Sequence, residues 1–370
     1  MDFGFTPEQS QLKDQVRRFL DSACPLEEVR RIAASEDGFD RDLWIECARL
    51  GWQGLVVPTE HGGLGLKWED LVVVLEEAGR SLFPSPLAET AVASRVLDRL
   101  GSEEQKGRWL PEIAAGRAIA TLAVTEPDCI RGEAGIEMQA REESDRYVLS
   151  GTKAFVGHGG NADLLLTAAR TRAGVALFAV EGGAVGLRKS ALVSVDSTQR
   201  LARLVFDDVV IDASQRLPVE GAMAAIERAL DEATVAACAE MVGAAEAAVR
   251  MAAEYAKVRR QFGQPIGRFQ GVKHTLAELH VAVESARSLT YFASWAVDNS
   301  DDPRAAVSMA KAQASEALDR AGEEGIQLHG AIGYTAECDA QLYYKRGRYA
   351  RNAFGSPEHH YERVLAVEGA

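Results

Sequence analysis

Apolar residues recur at helical spacing through the first third of the chain. Gln9 to Leu20 carries them on one face, and Leu43 to Leu50, Leu71 to Leu82 and Leu87 to Leu100 repeat the pattern. Thr6-Pro7-Glu8-Gln9 reads as a helix start, with Thr as the cap, Pro in the first turn and Gln following. Gly51, Gly62-Gly63-Leu64-Gly65 and Pro84-Ser85-Pro86 punctuate the helices. After Gly116 the pattern shortens. Ala120 to Val124, Tyr147 to Leu149, Leu164 to Ala168, Val175 to Val180 and Leu204 to Phe206 are brief apolar runs separated by Gly, Asp and Asn. They predict an antiparallel β domain rather than βαβ units. From about Gly221 long helices return: an Ala-rich stretch over Ala222–Val258, then Val272 to Val297 and Pro303 to Leu328. The pattern predicts a mainly α chain with a middle β domain, divided as 1–118, 119–220 and 221–370.

Composition narrows the function classes. The 370 residues are 47% hydrophobic and 26% charged, ordinary for a globular protein, and long enough for several domains. A formal net charge of -14 argues against nucleic acid or an anionic membrane as partner. The local cluster Lys345-Arg346-Gly347-Arg348 is either a solvated helix face or a place to meet an anionic ligand. The terminus Met1-Asp2-Phe3-Gly4-Phe5-Thr6-Pro7 lacks the basic and apolar regions of a secretory leader, and no run approaches the ~20 apolar residues of a membrane span. Cys24, Cys47, Cys129, Cys238 and Cys338 are odd in number and scattered, which fits reduced thiols rather than disulfides or a metal site. The expectation is a soluble cytoplasmic protein with no metal. No Gly-rich phosphate loop of the Rossmann or Walker type opens a helix.

Two segments carry candidate chemistry. Arg259-Arg260-Gln261-Phe262-Gly263-Gln264-Pro265-Ile266-Gly267-Arg268-Phe269-Gln270 supplies a guanidinium, a ring and an amide suited to a dinucleotide. Gln327-Leu328-His329-Gly330-Ala331-Ile332-Gly333-Tyr334 supplies an amide and a small-residue turn that backbone can bring close to a phosphate. With Val124-Thr125-Glu126-Pro127, Leu149-Ser150-Gly151-Thr152-Lys153, Gly160-Asn161-Ala162-Asp163 and Phe206-Asp207-Asp208-Val209, in shared order and spacing, the chain resembles the acyl-CoA dehydrogenases over essentially its whole length.

The resemblance implies an amino-terminal helical domain, a middle β-barrel domain and a carboxy-terminal four-helix bundle. It also implies FAD as cofactor, an acyl-CoA substrate and an electron-transferring flavoprotein as electron acceptor. In the implied reaction a carboxylate removes the α proton of the thioester while the flavin accepts a hydride from the β carbon. Hydrogen bonds to the thioester carbonyl stabilise the enolate-like charge. Carried over residue by residue, Thr125 contacts a flavin edge in its own chain. Arg259, Phe262, Gln270, Gln327 and Gly330 reach across a subunit interface to the ADP half of a neighbour's FAD. Ala331 stands where a second Gly is common.

Other motifs of the family are altered. The usual base is a Glu before Gly-Thr; here Asn352-Ala353-Phe354-Gly355-Ser356 puts Phe354 there. The alternative base position on an earlier helix reads Ala233, with Glu232 adjacent but rotated by ~100°. Glu240, Glu358 and Glu362 are further carboxylates to weigh against a solvated or salt-bridged role. After Pro127 the family's Gly-Ala-Gly-Ser-Asp becomes Asp128-Cys129-Ile130-Arg131-Gly132. Phe155-Val156-Gly157-His158 replaces a segment whose third residue offers a hydroxyl near flavin N5, and His158 is expected on a surface loop. The losses fall on residues serving this chain's own flavin ring and substrate, and the retained residues serve a neighbour. The resemblance is therefore to the degenerate subunit of α2β2 acyl-CoA dehydrogenases, a branch associated with bulky acyl groups such as sterol side chains. A homo-oligomer with a relocated Glu base, a flavin-free scaffold, and an oxidase or monooxygenase of the same fold are the alternatives.

Overall fold

The computed structural model describes residues 5–369; the reading of Met1 to Gly4 as free of a leader lies outside them. Helices α1 (Pro7–Ala23), α2 (Leu26–Ala34), α3 (Arg41–Arg49), α4 (Trp68–Arg80), α5 (Leu87–Leu100) and α6 (Glu103–Ala114) come first. Strands β1 (Ala120–Ala123), β2 (Gln139–Glu143), β3 (Arg146–Gly157), β4 (Leu164–Thr171), β5 (Gly174–Glu181), β6 (Leu187–Leu192) and β7 (Leu201–Asp212) follow. Then come α7 (Ala222–Val258), the short pair β8 (Arg260–Gln261) and β9 (Gln264–Pro265), α8 (Gln270–Asn299), α9 (Arg304–His329), α10 (Ala340–Ala350) and α11 (Pro357–Glu368). The predicted start of α1 is realised as a capping box. Thr6 Oγ1 accepts from Gln9 N, and Gln9 Oε1 from Thr6 N, both at 3.2 Å.

Packing sorts these elements into two compact units, whereas the division at 118 and 220 follows local pattern. The helical unit takes the chain to Arg31, Trp68–Phe83 and everything from Thr234. Here α9 packs against α8, α10 and α11, and α4 against α1 and α8. A Cβ on Gly243 of α7 would strike the Glu76 carbonyl of α4, so those two helices touch backbone to backbone. The unit encloses an ionic core. Glu76, 1% exposed, accepts from Lys13 Nζ at 2.8 Å, Arg287 Nε at 3.0 Å and the Tyr291 hydroxyl at 2.8 Å. Burial alone raises the Glu76 carboxyl, but Lys13 and Arg287 outweigh it and hold it below the ordinary range. Glu77 beside it accepts from Arg17 and Arg80.

The sheet unit comprises Ile32–Lys67 and Pro84–Ala233. Its strands run β1-β4-β2-β3-β7-β6, with β5 on the other side of β4. Most pairs are antiparallel, but β1 and β2 each pair parallel with β4, so the wholly antiparallel expectation is corrected to a mixed sheet. No crossover helix is needed, because β1 meets β4 after the β2–β3 hairpin has folded out between them. β2 (Gln139-Ala140-Arg141-Glu142-Glu143) escaped the sequence reading because only Ala140 is buried. Helix α5 packs on β1, which sets it over the end of β3. Among the described residues no helix is long and apolar enough to cross a membrane.

Candidate functional site

In the helical unit the two dinucleotide-type segments lie together. Helix α7 ends at Val258 and runs into the β8–β9 hairpin, whose turn uses Phe262 at φ 51° and Gly263 at φ 80°. That turn has left-handed backbone at both central residues, the geometry that suits a two-residue hairpin loop. It pushes the Phe262 ring outward, 91% exposed, edge-on to Phe269 at 6.1 Å. Arg259 is exposed, while its main chain is held at both ends: its N donates to Tyr255 O and its O accepts from Ile266 N. Gln270 opens α8 with an exposed side chain. At the end of α9, Gln327 is exposed and Gly330 turns the chain at φ 68°. Tyr255 stacks on His329 at 4.3 Å between ring centres, joining the root of the hairpin to the end of α9. Arg259, Phe262 and Gln327 are thus all exposed on the segments that meet at this stack, with Tyr334 standing 87% exposed beyond Gly330.

The same unit contains the turn between α10 and α11. Phe354 takes φ 57° and is partly exposed. Left-handed backbone costs a β-carbon residue roughly 1–2 kcal/mol, so something must enforce it. The Lys311 ammonium, fully buried on α9, donates to Ala350 O (3.1 Å), Arg351 O (3.3 Å) and Gly355 O (3.0 Å), and to Ser315 Oγ (2.8 Å). It supplies donors to carbonyls that the end of α10 leaves unpaired, and its charge suits that helix end. His360, 1% exposed, donates from Nε2 to Phe354 O at 3.2 Å, and its Nδ1 finds no partner among the described residues. Burial and the Lys311 charge push this imidazole down to about 3, so it stays neutral. The turn is tightly held, yet the residue it presents cannot take a proton.

The substitute carboxylates are engaged elsewhere. Glu232 is fully buried in the sheet unit and ion-paired to Arg95 Nη2 at 3.2 Å and to Arg99 Nη2 at 2.9 Å, both from α5. Ala233 beside it is half-buried. Glu240 lies 3.7 Å from Arg346 Nη1. Glu358 is exposed and accepts from Arg351 Nη2 at 2.9 Å; Glu362 is exposed. The Lys345 to Arg348 cluster is neither a solvated face nor an open anion site: Arg346 is buried, and Arg348 pairs with Asp319 and Glu323.

In the sheet unit Thr125 sits exposed just beyond β1, its carbonyl accepting from Ala154 N of β3 at 2.9 Å. The next residue anchors the loop. Glu126 Oε1 accepts from the buried Lys153 ammonium at 2.7 Å and from the backbone of Glu137 and Met138 at 3.0 Å each. Burial pulls Lys153 below its ordinary value, and Glu126 opposes that. Asp128 and Ile130 line a cleft of about 240 Å³ with Glu126, Glu137, Gly151 and Thr152. The left-handed positions of this loop are Cys129 (φ 55°) and Gly132 (φ 72°), so Asp128 and Ile130 cost no strain; they add side chains and a charge.

At the end of β3, Phe155 and His158 also have positive φ, 55° and 48°. His158 is buried, which corrects the surface-loop expectation. Its N donates to Arg200 O, its ring meets Phe39 edge-on, and Asn161 Nδ2 donates to its Nδ1 over 3.4 Å. Burial, with Arg200 nearby, lowers it to about 3. It is a neutral staple that helps tie the loop after β3 to residues 33–39. Gly157 between them has its carbonyl bound by Thr121 Oγ1 at 2.8 Å, and Glu89 of α5 lies against its Cα.

Sequence reasoning missed Glu89, Lys311 and His360. A lysine set among small residues in Ser308-Met309-Ala310-Lys311-Ala312 was a signal for a buried amine, because such a face packs closely. Glu89 gave none; its role depends on where α5 crosses β3.

Comparison with known proteins agrees with these elements. Family models for the acyl-CoA dehydrogenase N-terminal domain (residues 6–117), middle domain (121–209) and C-terminal domain (220–367) match in succession. The chain is 33% identical to "Acyl-CoA dehydrogenase IpdE2" of Mycobacterium tuberculosis over 95% of this chain and 94% of that protein. A chain of the ChsE4-ChsE5 complex from Mycobacterium tuberculosis is 29% identical and superposes with a TM-score of 0.92, covering 100% of this chain and 99% of that one. PigA, solved with FAD and proline, is 28% identical with a TM-score of 0.91, covering 100% and 99%. On motif order, fold and these matches, the chain belongs to the acyl-CoA dehydrogenase family of flavin-dependent oxidoreductases.

Proposed function

We propose that this chain is the subunit of a heteromeric, α2β2-type acyl-CoA dehydrogenase that completes a partner's FAD site and lacks a base of its own. The partner supplies the carboxylate and the ring pocket. FAD, when bound, supplies the hydride acceptor for α,β-desaturation of an acyl-CoA thioester, with an electron-transferring flavoprotein taking the electrons onward.

The observation that carries this reading is the contrast at Phe354. The turn at the base position is held by Lys311 and His360 as firmly as a catalytic carboxylate requires, yet it presents a phenyl ring. The exposure of Arg259, Phe262 and Gln327 supports the other half. An exposed guanidinium suits a pyrophosphate and an exposed ring suits stacking, and the Phe262 ring gains nothing from water in an isolated chain. Gln270 at the start of α8 and Gly330 at the end of α9 add an amide donor and a close backbone approach. Residues of the ADP half thus fit the cofactor. Around Thr125 they do not, because Asp128, Ile130 and Gly157 replace the small residues and the hydroxyl of the ring half. The occurrence of a ChsE4-ChsE5 complex among the similar structures supports a mixed assembly. A bulky acyl group, such as a sterol side chain, is the proposed substrate class.

Arg259→Ala tests the assignment in the assembled complex. Loss of a charge-assisted contact of roughly 2 kcal/mol predicts a ~30-fold weaker hold on FAD, read as flavin lost on gel filtration. Unchanged flavin content would favour a scaffold role.

A further inference from the structure

The two dinucleotide-type segments are each folded back on the helix they leave. The hairpin is pinned to α7 at both ends. Arg259 N donates to Tyr255 O at 2.9 Å, and a Cβ on Gly267, where the chain returns, would sit 3.0 Å from Ala256 O. The turn after α9 is pinned in the same way. Gly330 N donates to Gln327 O and Ile326 O, and a Cβ on Gly333 would stand 2.8 Å from Ile326 O and 3.2 Å from His329 Cβ. Glycine at 267 and 333 thus permits a close backbone approach in each segment. Each segment is fixed to its own helix, so its placement relative to the other depends on what joins the two helix ends.

Tyr255 and His329 make that join. Their rings stack at 4.3 Å between centres with 26° between planes, and the Tyr255 hydroxyl lies 3.5 Å from His329 O. The imidazole is fixed in turn. Gly325 O only accepts, so Nδ1 carries the proton and donates to it at 2.7 Å. Tyr255 is the residue whose carbonyl holds Arg259, and His329 immediately precedes Gly330, so the stack links the anchors of both segments. Both side chains are half-buried, whereas Arg259, Phe262 and Gln327, the residues suited to touch a ligand, are exposed. A dinucleotide gripped from two segments needs them at one separation, and a shift of about 1 Å forfeits contacts on one of them. We propose that Tyr255 and His329 are positioning residues that set the spacing between the Arg259 hairpin and the Gly330 turn, so that both meet the ADP half of one FAD without rearrangement. The proposal rests on the reading that these segments serve a partner's cofactor, and it adds how they are held in register.

The test titrates FAD into the deflavinated complex of this chain with its partner and reads the dissociation constant by fluorescence quenching, with circular dichroism confirming the fold. Tyr255→Leu removes one ring and keeps apolar bulk; loss of the ring pair predicts roughly five- to ten-fold weaker FAD binding, with kcat at saturating FAD unchanged. Tyr255→Phe keeps the stack and is expected to restore the wild-type constant to within about two-fold. In an Arg259→Ala background the Tyr255→Leu penalty should shrink to below about two-fold, because a displaced hairpin costs little once its guanidinium is gone. His329→Leu breaks the same stack from α9 and decides the matter should Tyr255→Leu not fold. Folded Leu variants that bind FAD as tightly as wild type, or a penalty undiminished without Arg259, would overturn the positioning role and leave the subunit reading standing. Arg259→Ala binding FAD as tightly as wild type would overturn both.

Discussion

The hairpin face of the helical unit and the β3 end of the sheet unit both carry residues that family resemblance ties to FAD, and their side chains differ in kind. Around Arg259 and Phe262 the side chains are solvent-facing, while the backbone beneath is fixed by Tyr255 and His329. Around Thr125 and Gly157, the Glu89 side chain lies against the Gly157 Cα, and Asp128 and Ile130 stand on the neighbouring loop. The backbone strain is similar in both: Phe262 on one side, Cys129, Phe155 and His158 on the other, all at positive φ. Left-handed backbone thus occurs in both regions irrespective of how exposed the side chains are. Phe354, also left-handed, is a further case. The two regions share left-handed backbone and differ in which side chains sit on it.

The largest expected effect concerns acid. His158 of the sheet unit and His360 of the helical unit both have pKa values lowered from the ordinary 6.5 to about 3. Each is neutral when folded and takes up a proton on unfolding below pH 6.5. Their contribution is complete above 6.5 and is lost as pH falls toward 3, at up to about 1.4 kcal/mol per pH unit for each. Denaturant midpoints are expected to fall progressively between pH 7 and 4. Replacing either histidine with Asn should flatten the slope by about half of that contribution, which shows whether the two units share the acid sensitivity.

Removal of the Lys311 ammonium comes next. Lys311→Met leaves three carbonyls without their donor and should destabilise the chain by about 3 kcal/mol, seen in chemical denaturation. A loss below ~0.5 kcal/mol would mean that the Phe354 turn is held by other contacts.

Glu232→Gln sharpens the comparison from the catalytic side. Breaking its pairing with Arg95 and Arg99, both partly exposed, should cost about 2 kcal/mol of stability and leave the kcat of the assembled enzyme unchanged. A drop in kcat of ~100-fold or more at full folding would restore Glu232 as a relocated base.

Much of the architecture was legible in the chain. The span Ala222–Val258 was read end to end, because Ala at nearly every contact position announces closely packed helices. Strands β2 and β6 and helices α2 and α6 were not read, because charged residues dilute the apolar positions in each of them. Motif residues of the dinucleotide face were legible because their spacing is local to one hairpin and one turn. Glu89 was not, since its meeting with Gly157 joins residues 68 positions apart through the packing of α5 on β1. The same holds for His360, whose bond to Phe354 depends on how α11 folds back after the turn.

The central claim, that this chain completes a flavin site without holding the ring, is tested most directly by counting flavin. The chain purified alone should be colourless, and the complex with its partner should carry one FAD for every two chains, by absorbance against protein mass. A yellow protein from this chain alone, with one FAD per chain that bleaches on adding acyl-CoA, would contradict the account.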